Sequence, residues 1–64
     1  MRVSKLKIAR IEQGLTQEDL AHLVGVSRQT IGLIEAGKYN PTLKLCRSIA
    51  KAVNKTLNDL FWEE

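Results

Sequence analysis

The chain has 64 residues, of which 44% are hydrophobic, a formal net charge of +3 and a single cysteine, Cys46. This length predicts one domain over residues 1–64, the composition is that of a folded protein, and the lone cysteine excludes an internal disulfide and favours a reducing, cytoplasmic location. No apolar run approaches the roughly 18 residues of a membrane span, and no catalytic, metal or phosphate-loop pattern is present, so we expect no enzyme, no cofactor or metal, no small-molecule ligand and no membrane partner.

The first predicted helix begins after Ser4, runs to about Gln13 and is ended by Gly14. Its inward-facing residues are Leu6, Ala9 and Arg10. The two ends of the chain carry a different pattern. Residues 1–3 and 61–63 are too short to form helices, and we expect them to pair as a small antiparallel ladder over the core.

Residues 16–37 predict two short helices joined by a tight turn. Thr16 is the N-cap of the second helix, with Asp19 as the acid of a capping box, and Gly25 ends it, with a positive φ. Ser27 caps the third helix and Gly37 ends it. The apolar residues recur at helical spacing; they are Leu20, Ala21 and Val24, followed by Ile31 and Ile34.

Two further helices follow a loop over residues 38–41. Thr42 caps the fourth helix, Asn54 and Lys55 break it, and Thr56 caps a short fifth helix. The residues expected to face inward are Leu43, Cys46, Ile49, Ala50 and Val53 in the fourth helix and Leu57, Leu60 and Phe61 in the fifth. The chain is therefore expected to be all-α.

The third helix has an outer face whose chemistry suits the major groove of DNA. At 100° per residue, this face carries Arg28, Gln29, Gly32, Leu33 and Ala36. Arginine pairs with guanine and glutamine with adenine, each discriminating by roughly 1–3 kcal/mol, and Leu33 suits a thymine methyl group. The alternatives are a solvated helix end for Arg28 and Gln29 and a stray surface leucine for Leu33.

The joint spacing of several short motifs resembles the Cro/C1-type helix-turn-helix family of phage and bacterial regulators. The motifs are Gly14-Leu15-Thr16-Gln17, Leu20-Ala21, Val24-Gly25-Val26-Ser27, Ile31, Ile34-Glu35, Gly37-Lys38 and Asn40-Pro41. The resemblance extends from about Leu6 to Phe61, and the short length is similar to that of compact stand-alone repressors. It implies a five-helix lambda-repressor-like fold that binds palindromic double-stranded DNA as a homodimer, usually as a repressor.

The same resemblance implies roles for individual residues. Arg28, Gln29 and Leu33 would contact bases, and Gln17 would bind a phosphate and brace Gln29. Contacts to phosphates would come from Thr16, Gln17, Ser27, Thr30, Lys38, Tyr39 and Asn40. Arg10 and Glu35 would form a structural ion pair. Ala36 stands where the family often has a polar residue, and Gly32 and Leu33 leave fewer hydrogen bonds for reading bases.

The remaining residues leave a second hypothesis open. His22 has no ligand partner at a suitable spacing and is expected to be exposed, and Cys46 is expected to be a small core residue rather than a redox switch. Some apolar side chains exceed what a core of this size can bury, which suggests a partner surface; they are Leu45, Leu57 and Trp62, with Ile8 as a further candidate. A homodimer is the first explanation, and an antitoxin-like protein-interaction module that autoregulates its own operon is the alternative.

Overall fold

The computed structural model describes residues 4–61, and these form five α-helices. The helices are α1 (Lys5–Glu12), α2 (Gln17–Val24), α3 (Arg28–Glu35), α4 (Leu43–Ala52) and α5 (Leu57–Phe61). This confirms the all-α, five-helix prediction. The predicted terminal ladder falls mainly on residues 1–3 and 62–63, which lie outside the described residues. Its one described residue, Phe61, is the last residue of α5 and not part of a strand, so for Phe61 the prediction was wrong.

Short-range capping decides where the helices begin. The side chains of the five predicted N-caps each accept a hydrogen bond from the backbone N–H three residues later; these caps are Ser4, Thr16, Ser27, Thr42 and Thr56. The Thr16–Asp19 capping box is present with both bonds at 2.9 Å. Thr56 and Asp59 form the same reciprocal pair before α5, at 3.0 and 3.1 Å. Each such cap stabilises its helix by about 1 kcal/mol.

Left-handed residues decide where the helices end. Gly25 has a φ of +78° and its N–H donates to the carbonyl of Ala21, which closes α2 and starts the turn. Asn54, with a φ of +59°, takes the left-handed conformation just after α4. Asparagine tolerates this conformation better than most other residues with a β-carbon. These two residues reverse the chain direction and let successive helices pack on one core.

The core is a single cluster to which all five helices contribute. α2 packs on α3 and α4, while α1 packs on α3 and α5, and α4 also contacts α5. Four side chains are fully enclosed: Leu20, Ile31, Ile49 and Val53. Val24, Leu57 and Phe61 are half-buried at its edge, and Cys46 is buried, as predicted.

One predicted core residue lies on the surface. Leu43 is 53% exposed, although its spacing places it on the same stripe as Cys46 and Ile49. Leu43 is the first residue of α4, and the Cα–Cβ bond of a helical residue tilts toward the N-terminus of its helix. Its side chain therefore extends past the end of the core.

The described helices are short. The longest of them has 10 residues, and none within residues 4–61 is long and apolar enough to cross a membrane.

Candidate nucleic-acid interface

The helix-turn-helix is built from α2, the turn at Gly25 and α3. α3 buries Ile31 and Ile34 against the core and turns its opposite side outward. Val26, in the turn, packs against the core at its edge. α3 is therefore buried along one face and exposed to solvent along the other, and the second face is its free surface.

The residues predicted to contact bases lie on this free surface. Arg28 and Gln29 are exposed in the first turn of α3, and Leu33 is half-buried one turn later. Gly32, which directly precedes Leu33, is also half-buried. The outer face of α3 is thus polar and exposed at its N-terminal end and half-buried at its C-terminal end.

The residues predicted to contact phosphates lie at the starts of α2 and α3 and in the loop that follows α3. Most of them are exposed, namely Thr16, Ser27, Lys38, Tyr39 and Asn40, while Gln17 and Thr30 are half-buried. Gln17 is the first residue of α2, and residues 38–40 form the loop after α3. Ala36 is exposed at the C-cap of α3 and offers no polar group.

Three hydroxyl groups at the starts of α2 and α3 take part in caps. Thr16 Oγ1 accepts from the N–H of Asp19, and Ser27 Oγ accepts from the N–H of Thr30. The hydroxyls of Ser27 and Thr30 also share one hydrogen bond of 2.9 Å. Because each hydroxyl carries one hydrogen, this network leaves one donor on the Ser27–Thr30 pair.

A nearly buried ion pair links α1 to the end of α3. Arg10 Nε lies 2.7 Å from Glu35 Oε2, and the two side chains are only 9% and 5% exposed. Arg10 Nη2 also donates to Glu35 Oε1 at 3.4 Å, and Nη1 donates to the carbonyl of Leu15 at 2.8 Å. The guanidinium therefore joins α1, the segment before α2 and the last turn of α3.

Gln17 takes a position that the resemblance did not predict. Its Nε2 donates to Glu35 Oε1 at 3.0 Å, and within residues 4–61 no hydrogen bond joins Gln17 to Gln29. Its amide lies over Gly32, with Nε2 3.8 Å from the place that a β-carbon on Gly32 would occupy. The only hint in the sequence was the glycine on the outer face of the third helix.

Comparison with known proteins decides the family. The sequence model of the helix-turn-helix family HTH_3 matches residues 6–60. This range includes all five helices except their outermost residues, Lys5 and Phe61. The chain belongs to the helix-turn-helix family. The match confirms the predicted Cro/C1-type resemblance.

Two sequence relatives and one solved structure illustrate the match. An uncharacterised HTH-type transcriptional regulator of Methanocaldococcus jannaschii is 55% identical, over 91% of this chain and 88% of its own. The uncharacterised HTH-type transcriptional regulator YgzD of Bacillus subtilis is 44% identical, over 95% and 92%. The restriction-modification controller protein C.AhdI of Aeromonas hydrophila superposes with a TM-score of 0.82 and 35% identity, over 89% of this chain and 86% of that one. The protein is therefore a transcriptional regulator with a helix-turn-helix DNA-binding fold.

Three side chains of this helix-turn-helix protein have shifted pKa values, and all three lie in helix caps or in the core. The backbone N–H of Thr16 donates to the carboxylate of Asp19 and lowers its pKa, with the Thr16 hydroxyl as a second cause. The backbone N–H and hydroxyl of Thr56 lower the pKa of Asp59 in the same way. Burial raises the pKa of the Cys46 thiol. All three shifts follow from helix caps or the core.

The described part of this helix-turn-helix protein offers no cluster that suits a metal ion. Within residues 4–61, no three His, Cys, Asp or Glu side chains lie close enough together to hold one. His22 is exposed on α2, as predicted.

Proposed function

We propose that the protein is a repressor that binds a palindromic operator as a homodimer, with α3 in the major groove. The observation that carries the proposal is the pair of exposed side chains, Arg28 and Gln29, in the first turn of a helix whose other face is buried. The N-terminal residues of a recognition helix are those that contact base edges.

In the proposed complex, three residues of α3 select the sequence. Arg28 donates two hydrogen bonds to guanine O6 and N7, and Gln29 forms a bidentate pair with adenine N6 and N7. Leu33, half-buried one turn later, packs on a thymine methyl group. Two polar contacts and one apolar contact predict a half-site with few strongly selected base pairs.

In the same complex, phosphate contacts fix how α3 lies in the groove. The hydroxyl donor that the caps leave free on the Ser27–Thr30 pair suits a phosphate oxygen, and Thr16 would contact phosphate by exchanging its hydroxyl bond to Asp19 for one to DNA. A further group is contributed by the remaining N–H of Gln17 and by the exposed loop residues Lys38, Tyr39 and Asn40. These contacts carry affinity but no direct sequence information.

A homodimer supplies the second half-site. α3 has eight residues and is therefore about 12 Å long, which covers a single stretch of one major groove. The described part of one protomer measures 29 × 24 × 22 Å, which is less than the spacing of about 34 Å between successive major grooves on one face of DNA, so a second protomer is needed to reach the second half-site. Leu45 and Leu57, both partly exposed, remain our candidates for the dimer surface together with Trp62, which lies outside the described residues.

The role of Gln29 is tested by a pair of matched glutamine variants. We would measure binding of the wild type, Gln29→Ala and Gln13→Ala to a duplex selected by the wild type from a randomised pool. Gln13 is also an exposed glutamine but lies at the C-cap of α1. Gln29→Ala is expected to weaken binding by about tenfold or more per half-site, whereas Gln13→Ala should leave it unchanged.

Binding to random-sequence DNA separates the recognition of bases from non-specific electrostatic binding to DNA. Gln29→Ala should bind random DNA as well as the wild type does, because the lost contacts are to bases. Wild-type affinity should fall steeply as salt rises, since phosphate contacts release counterions. An equal loss of affinity for the selected and the random duplex would remove Gln29 from the reading surface.

A further inference from the structure

We infer that Glu35 is a positioning residue for DNA recognition: it fixes the orientation of the Gln17 side-chain amide beside the reading face of α3. This inference rests on the proposed DNA-binding function. The observation behind it is the bond of 3.0 Å from Gln17 Nε2 to Glu35 Oε1, in addition to the ion pair of Glu35 with Arg10. Glu35 thus has a second partner, on the helix that precedes α3.

The chemistry of the two groups allows a single orientation. A carboxylate only accepts hydrogen bonds, so the amide of Gln17 must turn its nitrogen, and not its oxygen, toward Glu35. One N–H of Gln17 is used in this bond. The second N–H and the carbonyl oxygen remain in fixed directions, the first suited to a phosphate oxygen and the second to a donor on DNA or on a neighbouring side chain.

Arg10 makes Glu35 a rigid anchor. Its Nε and Nη2 donate to both oxygens of the carboxylate, and the Glu35 side chain is only 5% exposed. A carboxylate held by two such bonds cannot rotate away without leaving a buried cation unpaired. Gln17 therefore binds to an acceptor whose position is set by the core side of the molecule.

Gly32 provides the room for this arrangement. The amide atoms of Gln17 lie 3.8 and 3.9 Å from the position of a β-carbon on Gly32, so the amide rests directly over that residue. A longer side chain there would occupy the same space and displace Gln17. The glycine on the outer face of α3 thus lets the Gln17 amide lie between the recognition helix and the edge of the groove.

A double-mutant cycle on DNA affinity separates positioning from a general structural effect. We would compare the wild type, Gln17→Ala, Glu35→Gln and the double variant, using the duplex that the wild type selects from a randomised pool, at a temperature where circular dichroism shows each variant folded. Glu35→Gln should weaken binding by about fivefold in the wild-type background, the size of one lost hydrogen bond. In the Gln17→Ala background the same change should have less than about a twofold effect, because the side chain it positions is gone.

Two results would overturn the inference: an equal loss in both backgrounds, which is the behaviour of a merely structural residue, or no loss in either. Where Glu35→Gln does not fold, Glu35→Asp replaces it, since it keeps the charge for Arg10 while drawing the carboxylate back from Gln17. A wild type that binds no duplex refutes the proposed function. The inference is then decided by NMR of the free protein, in which Glu35→Asp should shift the side-chain amide protons of Gln17; unchanged resonances contradict it.

Discussion

Arg10 and Glu35 lie 25 positions apart in the sequence, and their side chains meet in an ion pair of 2.7 Å from which solvent is almost excluded. The pair fixes the last turn of α3 against α1. Within residues 4–61 no other ion pair involves α3, which also packs on the core through the buried Ile31 and Ile34.

The first prediction concerns the cost of breaking this pair. Arg10→Met leaves the Glu35 carboxylate without its cation and the Leu15 carbonyl without its donor, and it should lower the free energy of unfolding by about 3 kcal/mol. The double variant Arg10→Met, Glu35→Gln should recover part of the loss because the buried charge is removed as well. Urea unfolding followed by circular dichroism measures all three.

The exposed pair between Lys55 and Glu12 is the control for this experiment. Lys55 Nζ lies 3.6 Å from Glu12 Oε1, and the two side chains are 37% and 56% exposed, respectively. Glu12→Gln should change the free energy of unfolding by no more than about 0.5 kcal/mol, since solvent screens exposed pairs. Similar losses for Arg10→Met and Glu12→Gln would contradict the assignment of Arg10–Glu35 as a structural anchor.

The second prediction concerns the effect on stability of replacing two glycines that have different backbone conformations. Gly32 lies inside α3 and a β-carbon there would meet Gln17 only at ordinary contact distance, so Gly32→Ala should stabilise the fold by up to about 1 kcal/mol. Gly25 has open space around it but a φ of +78°, so Gly25→Ala should destabilise by about 1 kcal/mol or more. Thermal unfolding of both variants gives the signs, and two changes of the same sign would be inconsistent with these backbone conformations.

The third prediction concerns acid. Asp19 and Asp59 have pKa values below the ordinary 3.8, because the backbone N–H groups of Thr16 and Thr56 donate to their carboxylates. A lowered folded pKa adds stability that is fully present above the unfolded pKa and is lost as the pH falls through the folded one. The free energy of unfolding should therefore decrease below about pH 4.

Variants of the two capping aspartates test this origin. Asp19→Asn should be less stable than the wild type at neutral pH and should lose less stability on acidification, and Asp59→Asn should behave likewise at the start of α5. The measurement is urea unfolding at a series of pH values on both sides of the ordinary pKa of 3.8. An acid dependence of the Asn variants identical to that of the wild type would show that these caps do not carry it.

The fourth prediction concerns the reactivity of Cys46. Burial encloses the thiol and raises its pKa, so little of the reactive thiolate is present or accessible in the folded protein. Labelling by a thiol-specific disulfide reagent should be at least about tenfold slower in buffer than in denaturing urea. Equal rates would place the thiol at the surface and would restore the redox-switch alternative.

The sequence predicted most of the fold because short-range signals set the helix boundaries. Each N-cap is a Ser or Thr that bonds three residues ahead, and Gly25 and Gly37 take the left-handed conformation that their places predicted. The capping box before α5 was missed, although Thr56 and Asp59 repeat the pattern of Thr16 and Asp19.

What the sequence did not predict depends on tertiary geometry. Helical spacing placed Leu43 in the core, but periodicity does not tell where a helix extends past its neighbours, and Leu43 is exposed. The position of Gln17 on Glu35 depends on how α2 crosses α3, which no local pattern encodes. The apolar surface was also placed only in part: Ile8 is 46% exposed as expected, whereas Leu45 and Leu57 pack at the edge of the core.

The most direct test of the central claim is selection of bound duplexes from a randomised pool by the purified wild-type protein. We expect enrichment of a two-fold symmetric sequence whose half-sites are about 10 base pairs apart between centres, each with a guanine and an adenine at adjacent selected positions. Gln29→Ala should lose the preference at the adenine and keep the half-site spacing. A pool that stays random after repeated rounds, or a selected sequence with no symmetry, would contradict the assignment of the protein as a dimeric reader of palindromic DNA.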